Sequence, residues 1–137
     1  MAEMKPHLAI TVSDVDRSTP FYRALLDVEP VKQRPGYAKF EPHDPGIVLA
    51  LIQGERGDGL GAFNHGGIKV SSTDEVLATR LRLKRAGLAT FDEMDTTCCY
   101  ARQDKIWVTD PDGTPWEVFT VLEDVEHDAP APAACCA

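Results

Sequence analysis

One phrase occurs twice in the chain, and it limits what the chain can fold into. Residues 7–13 read HLAITVS and residues 65–71 read HGGIKVS, so both fit H-x-x-I-x-V-S. Each copy alternates polar and apolar positions, the period of a half-buried strand. On the first copy His7, Ala9 and Thr11 share one face, opposite Leu8, Ile10 and Val12. On the second, His65, Gly67 and Lys69 lie opposite Gly66, Ile68 and Val70. Each histidine therefore opens its strand on the less apolar face, with a small residue two places on. A sheet that buries its Leu/Ile/Val face against helices leaves both imidazoles on the other face, with room beside them.

The same order of elements follows each copy. After the first, Ser13, Asp14 and Asp16 are N-cap residues for a helix whose apolar stripe is Phe21, Tyr22, Leu25 and Leu26. Pro20 suits only a first turn, which starts the helix near Asp16. Strand-like runs follow at 29–34, 37–41 and 47–52, separated by Pro35-Gly36 and the HDPG turn at 43–46. After the second copy, Ser72 to Glu75 reads as a capping box, and the helix runs to a C-terminal cap at Gly87. Strand-like runs are expected at 90–94, about 98–101, 105–109 and 115–121, with DPDG at 110–113 as a turn. The expected fold class is α+β, with paired βαβββ modules forming an open curved barrel around a cleft. The modules span 5–53 and 65–122 within one domain, 1–122. The Gly-rich linker 54–64 joins them, and its glycines lack the spacing of a dinucleotide or phosphate loop. Residues 123–137, acidic and then Ala/Pro-rich, are expected to be a mobile tail.

Charge and composition remove several functions. The net charge is −8 and no basic stripe appears, which excludes nucleic acid as a partner. No apolar stretch approaches the roughly 20 residues that span a bilayer. The opening MAEMKPHLAITV has no signal-peptide core, so a cytoplasmic protein with reduced thiols is expected. The four cysteines come as two adjacent pairs, Cys98-Cys99 and Cys135-Cys136. That is neither a disulfide framework nor a C-x-x-C zinc or redox motif.

Three residues suggest a metal centre. If the modules pair, His7 and His65 face each other as first residues of equivalent strands. Glu117, in the middle of WEVFTV, shares a face with Phe119 and Val121, and a carboxylate there is costly to bury without a partner. Two imidazoles and one carboxylate are the facial set that suits non-haem Fe(II) and leaves positions open for ligands. A lone strand histidine is usually an ordinary polar residue; two at matching positions of a repeat shift the balance. The first-module counterpart of Glu117, four residues after the turn glycine, is Ala50, so only three protein ligands are expected. Cys98 and Cys99 carry the second signal, because paired thiolates select thiophilic metals and metalloids. Adjacent strand residues point to opposite faces, so both sulfurs can grip one atom only at a turn, bulge or strand end. Lys105 and Arg102 would support the thiolates if close in space. Trp107 and Trp116 are expected to be packing or cleft walls and Tyr22 core. Glu41, His43 and Glu55 are expected at the surface, and His127 in the tail.

These residues resemble the vicinal oxygen chelate superfamily, the glyoxalase/bleomycin-resistance/extradiol dioxygenase group. The carriers are HLAITVSDVDRSTPFYRALL, HGGIKVSSTDEV and DPDGTPWEVFTV. The narrower stretch TTCCYARQDKIWVTDPDGTPWEVFTV is similar to the ArsI-type C–As lyases and the related cadmium-induced proteins. That resemblance implies an Fe(II)- and O2-dependent enzyme that cleaves the carbon–arsenic bond of trivalent organoarsenicals such as methylarsenite and aromatic arsenicals, giving arsenite. It implies His7, His65 and Glu117 as metal ligands and Cys98 and Cys99 as the arsenic-binding pair. A homodimer is compatible with the fold. Two alternatives stand beside this reading. One is a thiolate-based cadmium- or arsenite-binding protein without turnover, using Cys135 and Cys136 as well. The other is a glyoxalase- or thiol-transferase-like metalloenzyme, against which Ala50 counts.

Overall fold

The structure, a computed structural model, describes residues 5–55, 63, 65–98 and 101–124. In chain order the elements are β1 (His7–Val12), α1 (Val15–Leu26), β2 (Lys32–Arg34), β3 (Tyr37–Phe40), β4 (Val48–Gln53), β5 (Gly66–Lys69), α2 (Thr73–Arg85), β6 (Phe91–Cys98), β7 (Ala101–Thr109) and β8 (Pro115–Asp124). They gather into two compact units. The first holds β1 to β4, α1 and the turn Asp110–Gly113; the second holds β5 to β8 and α2. Each unit has a four-stranded mixed sheet, ordered β1-β4-β3-β2 and β5-β8-β7-β6. The first strand of each runs parallel to the last, and the other neighbours are antiparallel. The repeated βαβββ order expected from the sequence is therefore present in both units.

In the first unit, Asp14 caps α1 by accepting from the Asp16 and Arg17 N–H groups at 3.0 and 3.3 Å. The helix thus starts at Val15, earlier than expected, and Pro20 lies inside it rather than in the first turn. A proline there removes one helix bond, to the carbonyl of Asp16, and both residues are exposed. Phe21, Tyr22, Leu25 and Leu26 are buried together with Phe40, Leu49 and Leu51, as the helical stripe requires. Tyr22 stacks at a tilt on Phe40 and donates its hydroxyl to Asp110 Oδ2 at 2.7 Å. Asp112 accepts from the Ser13 N–H at 3.1 Å and from its hydroxyl, so the DPDG turn is held at the start of α1.

In the second unit, Ser72 Oγ accepts the Glu75 N–H at 3.2 Å. The Glu75 carboxylate reaches back to the N–H and hydroxyl of Ser71, at 2.6 and 2.7 Å, so the capping box closes one residue earlier than expected. The last turn closes through Gly87, whose φ of 81° favours glycine. The four strand-like runs expected after this helix are three strands. The run expected at about 98–101 is divided: β6 continues to Cys98 and β7 begins at Ala101, while residues 99 and 100 lie outside the described residues. A bulge between Glu93 and Thr96 allows this, with Asp95 at φ 51° and its N–H donating to Asp104 Oδ1 at 2.6 Å. At the other end β8 takes in Glu123 and Asp124, so the ordered sheet runs two residues past the expected start of the tail. Val76 and Leu83 of α2 are buried with Ile106, Val108, Trp116 and Val118, and α2 packs on β7 and β8. No helix among the described residues is long and apolar enough to cross a membrane.

Candidate functional site

Strand register decides which side chains meet in the second unit. One rung across the sheet is Gly67–Glu117–Trp107–Phe91, and the next is Lys69–Phe119–Lys105–Glu93. Alternation puts both rungs on one face, opposite the buried apolar residues Trp116, Val118, Ile106 and Val108. His65, two residues before Gly67, falls on the same side as Glu117, as its parity predicts.

The donors converge there. His65 Nε2 lies 3.8 Å from Glu117 Oε1. Two donors that each sit roughly 2.1 Å from one ion are at most about 4.2 Å apart, so this pair can share a cation. Gly67 keeps that side of the carboxylate clear, since a Cβ at this position would lie 3.2 Å from Glu117 Cγ and 3.3 Å from Oε1. The other oxygen, Oε2, accepts from Lys105 Nζ at 3.0 Å. Lys105 is 2% exposed and Glu117 8%, so the pair is shielded from water. The Lys105 ammonium lies over two rings, 5.7 Å from the Trp107 centroid and 5.8 Å from that of Phe119. Trp107 meets the His65 ring edge-on at 5.1 Å and donates its indole N–H to Glu93 Oε1 at 2.9 Å.

Trp107 is thus a wall of this face, as expected, while Trp116 belongs to the buried apolar face. Glu93 is the residue that the sequence reading missed. It is buried, and its Oε2 has no hydrogen-bond partner among the described residues. The local signal was weak: Glu93 lies between Asp92 and Met94, not between strand formers as Glu117 does, and it stands beside no repeated motif. Arg102 pairs with Asp95 at 2.7 Å and with Glu123 at 3.7 Å, and the Asp95 carboxylate raises its guanidinium pKa.

His7 lies in the first unit, exposed, as the first residue of β1. The register there reproduces the second unit: Ala9 pairs with Ala50 where Gly67 pairs with Glu117. Ala50 is therefore the true counterpart of Glu117, and that rung carries no ligand. Glu41, His43 and Glu55 are exposed, as expected. Within neither unit do three His, Cys, Asp or Glu side chains gather among the described residues; the second unit supplies two donors. The backbone of Cys98 closes β6, paired with Ala101, at a strand end of the kind that a vicinal sulfur grip requires. Cys99, His127, Cys135 and Cys136 lie outside the described residues.

Comparison with known proteins agrees with this architecture. Residues 6–118 match the model of the glyoxalase/bleomycin resistance protein/dioxygenase superfamily. The chain is 43% identical over 131 residues to a trivalent organoarsenical cleaving enzyme of Bacillus sp. (strain MD1), covering 95% of this chain and 81% of that one. It is 48% identical over 119 residues to the cadmium-induced protein CadI of Mycobacterium bovis, covering 87% and 77%. Among solved structures, a glyoxalase/bleomycin resistance protein/dioxygenase from Alicyclobacillus acidocaldarius superposes with a TM-score of 0.70 at 17% identity, over 85% of this chain and 90% of that one. The fosfomycin resistance protein FosX from Listeria monocytogenes, complexed with Mn(II) and sulfate, gives 0.65 at 19% identity, over 88% and 91%. The chain belongs to the glyoxalase/bleomycin resistance protein/dioxygenase superfamily, and within it to the family that includes the trivalent organoarsenical cleaving enzymes and the cadmium-induced proteins.

Proposed function

We propose that this protein is a C–As lyase that cleaves the carbon–arsenic bond of trivalent organoarsenicals and releases arsenite. The observation that carries the reading is the His65–Glu117 donor pair on a sheet whose β6 strand ends at the vicinal Cys98-Cys99 sequence. The organoarsenical-cleaving relative at 43% identity supports it. His65 and Glu117, with His7 from the first unit, would hold Fe(II); two imidazoles and one carboxylate match that ion and leave it open positions. When bound, Fe(II) supplies the redox chemistry toward O2, the co-substrate.

The chain's own residues do the rest. Cys98 and Cys99 form two As–S bonds to the arsenical, and the two hydroxyls of its hydrated form leave as water with the thiol protons. This fixes the organic group in one orientation, and holding reactants together lowers the barrier more than either thiolate could alone. Trp107 and Phe119 line the face beside Glu117, exclude water, and keep the carboxylate in a low-dielectric setting where its charge acts strongly.

Anaerobically purified, iron-loaded protein should release arsenite from methylarsenite when O2 is admitted. Cys98→Ser and Cys99→Ser should each abolish release, and His65→Ala should abolish iron binding. Activity that survives loss of both sulfurs, or that needs no O2, would refute the reading. The cadmium-induced relative favours a second reading, a thiolate sink. That reading predicts stoichiometric Cd(II) binding without turnover, unaffected by His7→Ala.

A further inference from the structure

We propose that Lys105 makes Glu117 a one-oxygen ligand and so sets how many positions the metal keeps open. The inference rests on the ligand reading above and adds a residue that touches no metal itself. The carboxylate is divided between two partners. Oε2 is held by the Lys105 ammonium at 3.0 Å, and Oε1 faces His65 Nε2 at 3.8 Å. A carboxylate offering both oxygens would need Oε2 to turn from the buried Lys105 ammonium, and parting a buried, hydrogen-bonded ion pair is costly.

Three features keep Lys105 from moving aside. Its side chain is almost wholly buried. Its ammonium sits near the rings of both Trp107 and Phe119. Trp107 is itself tied through its indole N–H to the buried Glu93. Gly67 adds the complementary freedom: with no Cβ there, the space beside Oε1 stays clear on the side facing His65. One side of the carboxylate is locked and the other is open, the arrangement of a single-oxygen ligand with a cationic outer partner. Three single-atom donors on a six-coordinate ion leave three open positions; a two-oxygen Glu117 would leave two. The arsenical is held by the sulfurs in the reading above, so the open positions serve O2 and water, and Lys105 is a positioning residue that sets their number through Glu117.

The test uses Mn(II) as the probe on the full-length protein and reads water-proton relaxation per bound ion, with no need for turnover. Lys105→Met, which keeps the buried volume, should lower that relaxation by about one third, the step from three open positions to two. It should also tighten Mn(II) binding, on the order of tenfold, because a repelling cation is gone and a second oxygen has joined. Lys105→Arg, which keeps the charge and donors, should retain the wild-type water count. Unchanged relaxation in Lys105→Met, with Mn(II) bound, overturns the inference and leaves the ligand reading standing. Mn(II) binding that is indifferent to His65→Ala overturns both. A crystal structure of the Mn(II)-loaded wild type decides the matter without any variant. One Glu117 oxygen on the ion with the other on Lys105 supports the inference, and both oxygens on the ion defeat it.

Discussion

Gly66 and Gly67 are neighbours in the chain and do different work. A Cβ on Gly66 would lie 2.4–2.7 Å from the Trp116 ring, inside a packed core. Gly66→Ala should therefore cost about 1–3 kcal/mol of stability by overpacking, read from denaturant unfolding. A Cβ on Gly67 meets Glu117 Cγ and Oε1 and the Phe119 ring at 3.2–3.3 Å, where a shift of only a few tenths of an ångström would make room. Gly67→Ala should leave the unfolding midpoint nearly unchanged and weaken divalent-metal binding several-fold by crowding Oε1, a split that calorimetric titration would show. Trp107→Phe removes the described donor to the buried Glu93 carboxylate. The expected cost is about 1–3 kcal/mol, the penalty of leaving a buried acceptor unmade.

Among the elements, α2 carries a pH-sensitive start. The Ser71 hydroxyl and N–H hold the Glu75 carboxylate below its ordinary value near 4.5. A folded-state value lower than the unfolded one stabilises the helix above about pH 4.5, and that contribution is lost as pH falls through the folded value. Glu75→Gln should flatten this acid-side change in helix stability, followed by circular dichroism between roughly pH 5 and 3. The turn Asp110–Gly113 depends on a different bond. Tyr22→Phe deletes the donor to the buried Asp110 and should destabilise the protein by about 1.5–3 kcal/mol, the range for a hydrogen bond to a charged group. The chain names both helices and their caps because capping and amphipathic period are local: Asp14, Ser72 and Gly87 act on neighbours within four residues. Where the element reading slipped, at the 98–101 run, a bulge at Asp95 lengthened β6, and no short-range pattern announces a positive φ at an aspartate.

For the molecule as a whole, the proposed ligand set includes His7, so His7→Ala should strip bound iron as thoroughly as His65→Ala despite leaving the His65–Glu117 pair intact, measured as metal content after anaerobic loading. The repeat made half of this legible. H-x-x-I-x-V-S written twice implies two equivalent strands, and counting from each turn glycine identifies Ala50 as the counterpart of Glu117, which the registers Ala9–Ala50 and Gly67–Glu117 bear out. Alternation along a strand is a two-residue period, so the facing of His65 and Glu117 can be read from the residues alone. The partners of those residues cannot. Lys105 meets Glu117, and Glu93 meets Trp107, only because three strands pair in a register with shifts at Glu93/Thr96 and Arg102/Gln103. Contacts between residues a dozen or more apart are set by how the sheet closes, since each residue of slip would turn every side chain to the opposite face. Local chemistry thus names the donors, and the paired sheet alone decides which charge stands behind them.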